Sequence, residues 1–339
     1  MTLPKTYKQA VFEEAGQPLQ LRDVPMKQPG SNEILVKVQA CGVCHTDFYA
    51  QINALGGGFP IVAGHEIIGV VAAVGDQVKG WKEGDRIGGG YHGGHDGSCT
   101  QCRAGWPQMC DNLVNNGINK DGGFAEYCIL RAEAAVRVPQ EGDAASFAPM
   151  LCAGSTIFAA LSLSDLKPGD TVAVQGLGGL GHVAVQFASR MGYRVIAVSR
   201  GAEKEKAARK LGAHEYIDAT KGDAGEALAA LGGAKLAITT ALTADAMTPL
   251  LKGLNILGKL LIVSFPGDVT VNPAYMVGRG LSIQACPISK SGDSEKALAF
   301  ASLHNVKCEI ETWPLAKAQE AFDAMMTGKV RFRSVITME

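Results

Sequence analysis

The sequence predicts a two-domain α/β protein, a β-rich unit joined to a doubly wound, parallel-sheet unit. Three observations point there. The chain has 339 residues, enough for two domains of the usual roughly 100–200 residues. Its texture changes near Asp143, from short β-branched runs between Gly, Pro and Asp turns to strands alternating with helical stretches. A glycine-rich turn then follows a strand and opens a helix inside the second texture.

The elements follow in order. Ile34–Val38, Ile67–Val74 and Tyr127–Leu130 are β-branched runs bounded by turn residues. Ala144–Ala160 is rich in small residues and reads as one helix crossing between domains. Thr171–Gln175 is a short apolar strand, and Gly181–Met191 a helix with apolar Val183, Val185, Phe187 and Ala188. Arg194–Val198 is the next strand, followed by a charged helix over Glu203–Leu211 and further strands at Ala237–Thr239 and Lys259–Ser264. Strands alternating with helices of this length argue for βαβ units and a parallel sheet. After Cys286 come helices over Asp293–Leu303 and Leu315–Met326 and a last strand, Ser334–Thr337. That tail is expected to rejoin the first domain.

Composition narrows the function. Apolar residues make up 47% and charged residues 19%, with a formal net charge of −1, so neither nucleic acid nor a membrane surface is an expected partner. The start lacks a signal-like apolar run and no stretch of roughly 18 apolar residues occurs, so a soluble, cytosolic protein is expected. Nine cysteines is an odd number and nothing signals secretion. Thiolate metal ligands are therefore the better reading than disulfides.

The glycine-rich turn is Gly176-x-Gly178-Gly179-Leu180-Gly181. In such a turn the first glycine permits the bend, the second lets backbone approach a pyrophosphate, and the third lets helix and strand pack closely. The helix N-terminus then faces the phosphates. At the end of the next strand, Ser199-Arg200 stands where a carboxylate would receive an adenosine ribose 2′-OH. With no carboxylate there, and with Arg200, Ser199 and the nearby Lys204 to meet a 2′-phosphate, NADP(H) is expected over NAD(H).

Two groups of metal-ligand residue types remain. Cys44 and His65 lie about twenty positions apart, and His65 is flanked by Gly64 and Glu66. Cys152 sits at the predicted domain junction, and two thiolates with one imidazole leave a fourth position open, as in a catalytic zinc site. By spacing alone Cys152 reads equally as a small buried apolar residue. The second group is Asp96-x2-Cys99-x2-Cys102-x7-Cys110, spaced for a closed structural zinc, with aspartate in place of the first cysteine. His92 or His95 could supply a ligand in its stead, and an unmetallated loop is the plainer alternative.

Cys44-His45-Thr46-Asp47, Gly64-His65-Glu66, Asp121–Tyr127, Leu151-Cys152-Ala153-Gly154 and Gly176–Gly181 run in an order and at intervals that resemble the zinc-containing alcohol dehydrogenases of the medium-chain dehydrogenase/reductase superfamily, in their tetrameric bacterial and yeast-like branch. The resemblance runs almost end to end. It implies a GroES-like β-rich catalytic domain over 1–150 and 287–339 and a Rossmann dinucleotide-binding domain over 151–286. It also implies two zinc ions per chain, a small alcohol or carbonyl substrate and a homotetramer. Cys44, His65 and Cys152 would be the catalytic zinc ligands, Asp47 and Glu66 carboxylates beside the zinc, and Thr46 the hydroxyl that takes the substrate proton. His45 and Arg333 would contact the cofactor pyrophosphate, and Thr156 would pack near the nicotinamide. Cys41, Cys128, Cys286 and Cys308 match no ligand position. Tyr49 stands where this branch often has a histidine ending the proton relay, Tyr91 where it has another pocket aromatic, and the segment 48–63 is shorter and lacks the relatives' pocket tryptophan. A polyol dehydrogenase of the same architecture is a rival, disfavoured by Cys152 where glutamate is usual. A non-catalytic nucleotide-binding protein is a second rival, disfavoured by the full ligand set.

Overall fold

The computed structural model describes residues 3–338. The chain forms two compact units, one of Met1–Ser155, Pro287–Ser302 and Lys307–Glu339, the other of Thr156–Cys286 and Leu303–Val306. The change of unit falls between Ser155 and Thr156, inside a helix.

The first unit is built on a seven-stranded sheet. Its central strand, Glu33–Gly42, is flanked by Ile67–Val74 and Arg333–Thr337, with Tyr127–Arg131 pairing along its first half. Ile34, Leu35, Val36 and Val38 of this strand are buried with Phe12, Ile67, Phe124, Leu130 and Phe322 in one core. Register is what matters for function. Cys41 pairs with Ile67 and Gly42 with Val335. The residues at and past those pairs, Cys44, His65-Glu66 and Arg333, are thereby gathered at one end of the central strand. Backbone bonds from Gly42 N–H to Glu66 O (3.1 Å) and from Val43 N–H to Ser334 O (2.9 Å) hold the three segments together there.

The helix expected over Ala144–Ala160 is broken. Ala144–Phe147 is helical, capped by the Asp143 carboxylate, which accepts from the Ala145 and Ser146 N–H groups. A 3₁₀ turn follows over Ala148–Leu151, and the helix resumes only at Ala153–Ser162. Pro149 removes one N–H and forbids a continuous α-helix. Cys152, with φ −124° and ψ −73°, is the kink between the two pieces.

The second unit carries six parallel strands in the order Glu215–Asp218, Arg194–Ser199, Thr171–Gln175, Ala234–Thr239, Leu254–Ile262, Ser282–Ala285. Counted along the chain, that is 3-2-1-4-5-6, the doubly wound Rossmann order. Its core gathers Ala173, Ile196, Val198, Leu228, Leu250 and Leu260. The strand Glu215–Asp218 and the helix Ala224–Ala230 lie outside the sequence reading. The expected helix over Glu203–Leu211 begins as a 3₁₀ turn, Ala202–Lys204, before the α-helix Glu205–Leu211. Among the described residues no single helix is long and apolar enough to cross a membrane.

Candidate metal centre and nucleotide loop

Cys44 leaves the central strand and enters the short helix Thr46–Gln51. Asp47, in its first turn and fully buried, ties this entry down. One carboxylate oxygen accepts from the Cys44 N–H (2.8 Å) and the other from the Gly64 N–H (3.1 Å). The latter oxygen also lies 3.3 Å from His65 Nδ1, so Asp47 anchors the backbone of one thiolate and the ring of the imidazole together.

The result is a compact cluster. The Cys44 and Cys152 sulfurs are 3.8 Å apart, and ligand atoms of Cys44, His65, Glu66 and Cys152 all lie within 4.8 Å of one another. Contact with Cys152 pulls the Cys44 thiol well below its usual range, and the same contact with burial drives Cys152 well above it. Burial opposes charge on His65, but the Asp47 carboxylate, helped by Cys44, reverses this and holds the imidazole well above its usual range. His65 Nε2 and Glu66 Oε2 are buried without a hydrogen-bond partner among the described residues. Orphaned buried polar atoms facing two sulfurs are costly in a bare protein and suit a soft divalent cation held by two sulfurs and a nitrogen.

Around the cluster, the Thr46 hydroxyl lies 3.6 Å from the Cys44 sulfur. His45 precedes that helix with its ring 5.8 Å from Phe48 and 5.7 Å from Tyr49. Tyr91 stands edge-on to His65 at 5.4 Å, its phenol pushed to about 12 by burial and by the nearby sulfurs. Arg333 is 4% exposed and pairs with Glu66, whose own carboxyl burial pushes up to about 7 against that pairing. The role implied for Arg333 from the sequence was a pyrophosphate contact; the Glu66 partner could not be read there. Gly42 is another missed position, because a Cβ at it would collide with Glu66.

The second group also closes. Asp96, Cys99, Cys102 and Cys110 bring their ligand atoms within 4.8 Å of one another. Cys99 caps the helix Thr100–Arg103 and its sulfur accepts from the Cys102 N–H (3.4 Å), while the Cys110 sulfur accepts from the Asp96 and Asn112 N–H groups. Asp96 is oriented by the Ser98 and Cys99 N–H groups and by Asn112 Nδ2, and the Cys99 N–H bond foremost holds its carboxyl well below the usual range. His92 and His95 stack on each other instead, nitrogens 3.1 Å apart, and are not part of this group. An oxygen ligand is harder than a thiolate but acceptable to zinc. Asp96→Asn is expected to lose about one metal equivalent and roughly 5–10 °C of Tm, with Asp96→Cys retaining both. Metal analysis alongside calorimetry checks this; full metal content in Asp96→Asn would remove Asp96 from the ligand set.

In the second unit, Gly176 takes φ +89° and a Cβ there would strike the Thr240 hydroxyl, while a Cβ on Gly181 would strike Gly176 O. Gly178 is exposed with nothing within 4 Å of an added Cβ. The first and third glycines are thus needed by the protein itself, and the second leaves bare backbone facing open space beside Gly179 and Leu180, ahead of the ten-residue helix Gly181–Arg190. Thr156 sits on the helix Ala153–Ser162, its carbonyl in contact with the Cys286 thiol at 3.9 Å.

At the end of the neighbouring strand Ser199 is buried, Arg200 is exposed without a partner among the described residues, and Lys204 ends the 3₁₀ turn. The expectation that no carboxylate is near needs correction. Parallel pairing sets Asp218 beside Ser199, and its carboxylate accepts from the Gly201 N–H (2.9 Å). Glu203 folds its carboxylate onto Gly201, so that a Cβ there would collide with both of its oxygens.

A thiolate–imidazole metal cluster with a Rossmann unit defines the class of metal-dependent, dinucleotide-linked oxidoreductases. Residues 30–140 match the alcohol dehydrogenase GroES-like domain family and residues 179–302 the zinc-binding dehydrogenase family. The alcohol dehydrogenase notN of Aspergillus sp. (strain MF297-2) is 58% identical over 339 residues, covering 100% of both chains. Acetophenone reductase from Geotrichum candidum, solved with NAD, has a TM-score of 0.89 and 27% identity, covering 99% of this chain and 98% of its own. A zinc-binding dehydrogenase from Sinorhizobium meliloti, solved with NADP, has a TM-score of 0.88 and 27% identity, covering 98% of this chain and 100% of its own. This chain belongs to the zinc-type medium-chain alcohol dehydrogenases, with the GroES-like and Rossmann architecture expected from its sequence.

Proposed function

We propose that this alcohol dehydrogenase interconverts alcohols with aldehydes or ketones using NADP(H), with a catalytic zinc on Cys44, His65 and Cys152 and a structural zinc on Asp96, Cys99, Cys102 and Cys110. The observation that carries the reading is the convergence of two sulfurs and an orphaned imidazole nitrogen in one buried cluster beside the Thr46 hydroxyl. When bound, the zinc supplies Lewis acidity that stabilises an alkoxide, and the nicotinamide supplies or accepts the hydride. Asp47 lies against His65 at Nδ1, which leaves Nε2 as the nitrogen we assign to the metal. The Thr46 hydroxyl, within 3.6 Å of a ligand sulfur, is placed to accept the proton of an alcohol at that position and pass it on. Glu66, held by Arg333, keeps a carboxylate beside the cluster without exposing it to water. Tyr91, packed against His65, is the aromatic we place against the substrate.

NADP(H) is favoured by Ser199, by Lys204 and by Arg200, which has no partner among the described residues. His45, Thr156, the Gly176–Gly181 loop and Arg333 complete the proposed cofactor contacts, and we read the protein as a cytosolic homotetramer. Carbonyl reduction is then the physiological direction proposed, because cellular NADP pools are kept reduced. Initial rates in both directions with both cofactors test this. Arg200→Asp is expected to raise KM for NADPH by about tenfold or more while improving NADH, with kcat for the better cofactor little changed. An unaltered cofactor ratio in that variant would remove Arg200 from the 2′-phosphate site.

A further inference from the structure

The geometry points to Glu203 as a specificity-determining residue that opposes the 2′-phosphate and restrains the NADP(H) preference assigned above, a reading on which this inference rests. Four charged groups surround the Ser199–Gly201 turn, and they are not equivalent. Asp218 is tied to the backbone through one oxygen, Oδ1, which accepts from the Gly201 N–H, the Thr220 N–H (3.0 Å) and the Thr220 hydroxyl (2.8 Å). It holds the turn's backbone, as does Tyr216, whose hydroxyl donates to Gly201 O (2.6 Å).

Glu203 is different. It makes no hydrogen bond or ion pair among the described residues, it does not pair with Arg200 or Lys204, and its carboxylate lies over Gly201. A glycine at that position, with φ +92°, leaves the room this carboxylate occupies. Beside the bonded Asp218, the turn therefore presents two cations and a carboxylate that nothing among the described residues holds. A dianionic phosphate drawn to Arg200 and Ser199 meets the Glu203 charge at the same turn. A ribose hydroxyl meets no such penalty and can donate a hydrogen bond to it. The carboxylate so acts on the difference between the two cofactors.

Glu203→Gln keeps the shape and removes the charge. Dissociation constants of NADPH and NADH, read by cofactor fluorescence on the intact enzyme at low and high salt, test the proposal. NADPH is expected to bind about fivefold more tightly to the variant at low salt, with NADH unchanged or weaker, and the gain should shrink at high salt. Equal tightening of both cofactors, no change for NADPH, or weaker binding of both would each overturn it, the last by showing that Glu203 merely shapes the turn. Failure of the parent reading looks different. A wild-type enzyme that prefers NADH contradicts the NADP(H) assignment, yet a selective NADPH gain in Glu203→Gln would still assign Glu203 this role.

Discussion

Cys44→Ser is expected to lower kcat by on the order of 10³-fold or more, because several kcal/mol of charge stabilisation leave with the metal. Serine is a poor replacement in this cluster. Its hydroxyl keeps its proton at neutral pH, whereas contact with Cys152 already draws Cys44 towards the thiolate. With the charge gone, the remaining donors are Cys152, His65 and a Glu66 whose Oε1 is held by Arg333. Metal content should fall by about one equivalent, leaving the ion on Asp96, Cys99, Cys102 and Cys110. Cofactor affinity should be largely retained, since the Gly176–Gly181 loop belongs to the other unit and the proposed contacts His45 and Arg333 are left in place. Cys128→Ala is the matching control, a buried thiol that sits in the hydrophobic core, away from both clusters. A Cys44→Ser enzyme that keeps its metal and turns over normally would sink the proposed centre.

What could be read from the sequence divides along physical lines. The Rossmann half was legible because its signals are local. A strand, a turn whose glycines have individual steric reasons, and a helix of 3.6-residue period occur within about twenty residues of Thr171. The ligand types were legible as well, but their convergence was not. Spacing alone reads Cys152 equally as a ligand or as a small buried apolar residue, and only the resemblance decides for the ligand. The structure supplies the local cause, a helix broken by Pro149 that turns Cys152 out at the kink. The features missed are contacts between residues far apart in the chain. Glu66 and Arg333 meet only because Ile67–Val74 and Arg333–Thr337 flank the same central strand. Asp218 reaches Gly201 only because its strand pairs with Arg194–Ser199. A carboxylate absent from one strand end can be supplied by the next strand, and no local pattern announces it.

The Glu66–Arg333 pair yields the largest expected loss of stability. Both groups are essentially out of water, at 0% and 4% exposure, and the guanidinium draws the Glu66 carboxyl down against the burial that raises it. Removing one member of such a pair leaves a buried charge uncompensated and costs about 3–5 kcal/mol. Arg333→Met, close in volume and apolar, should therefore lower the unfolding midpoint by roughly 6–15 °C. The double variant Arg333→Met/Glu66→Gln should regain most of that loss, because no charge is left stranded. Cofactor affinity separates the two roles of the arginine. If its guanidinium also binds pyrophosphate, dissociation constants rise in the single and the double variant alike, while stability returns only in the double. A double variant no more stable than Arg333→Met would mean that the loss comes from packing of the arginine stem. Unchanged cofactor affinity in both would confine Arg333 to holding Glu66 at the metal centre.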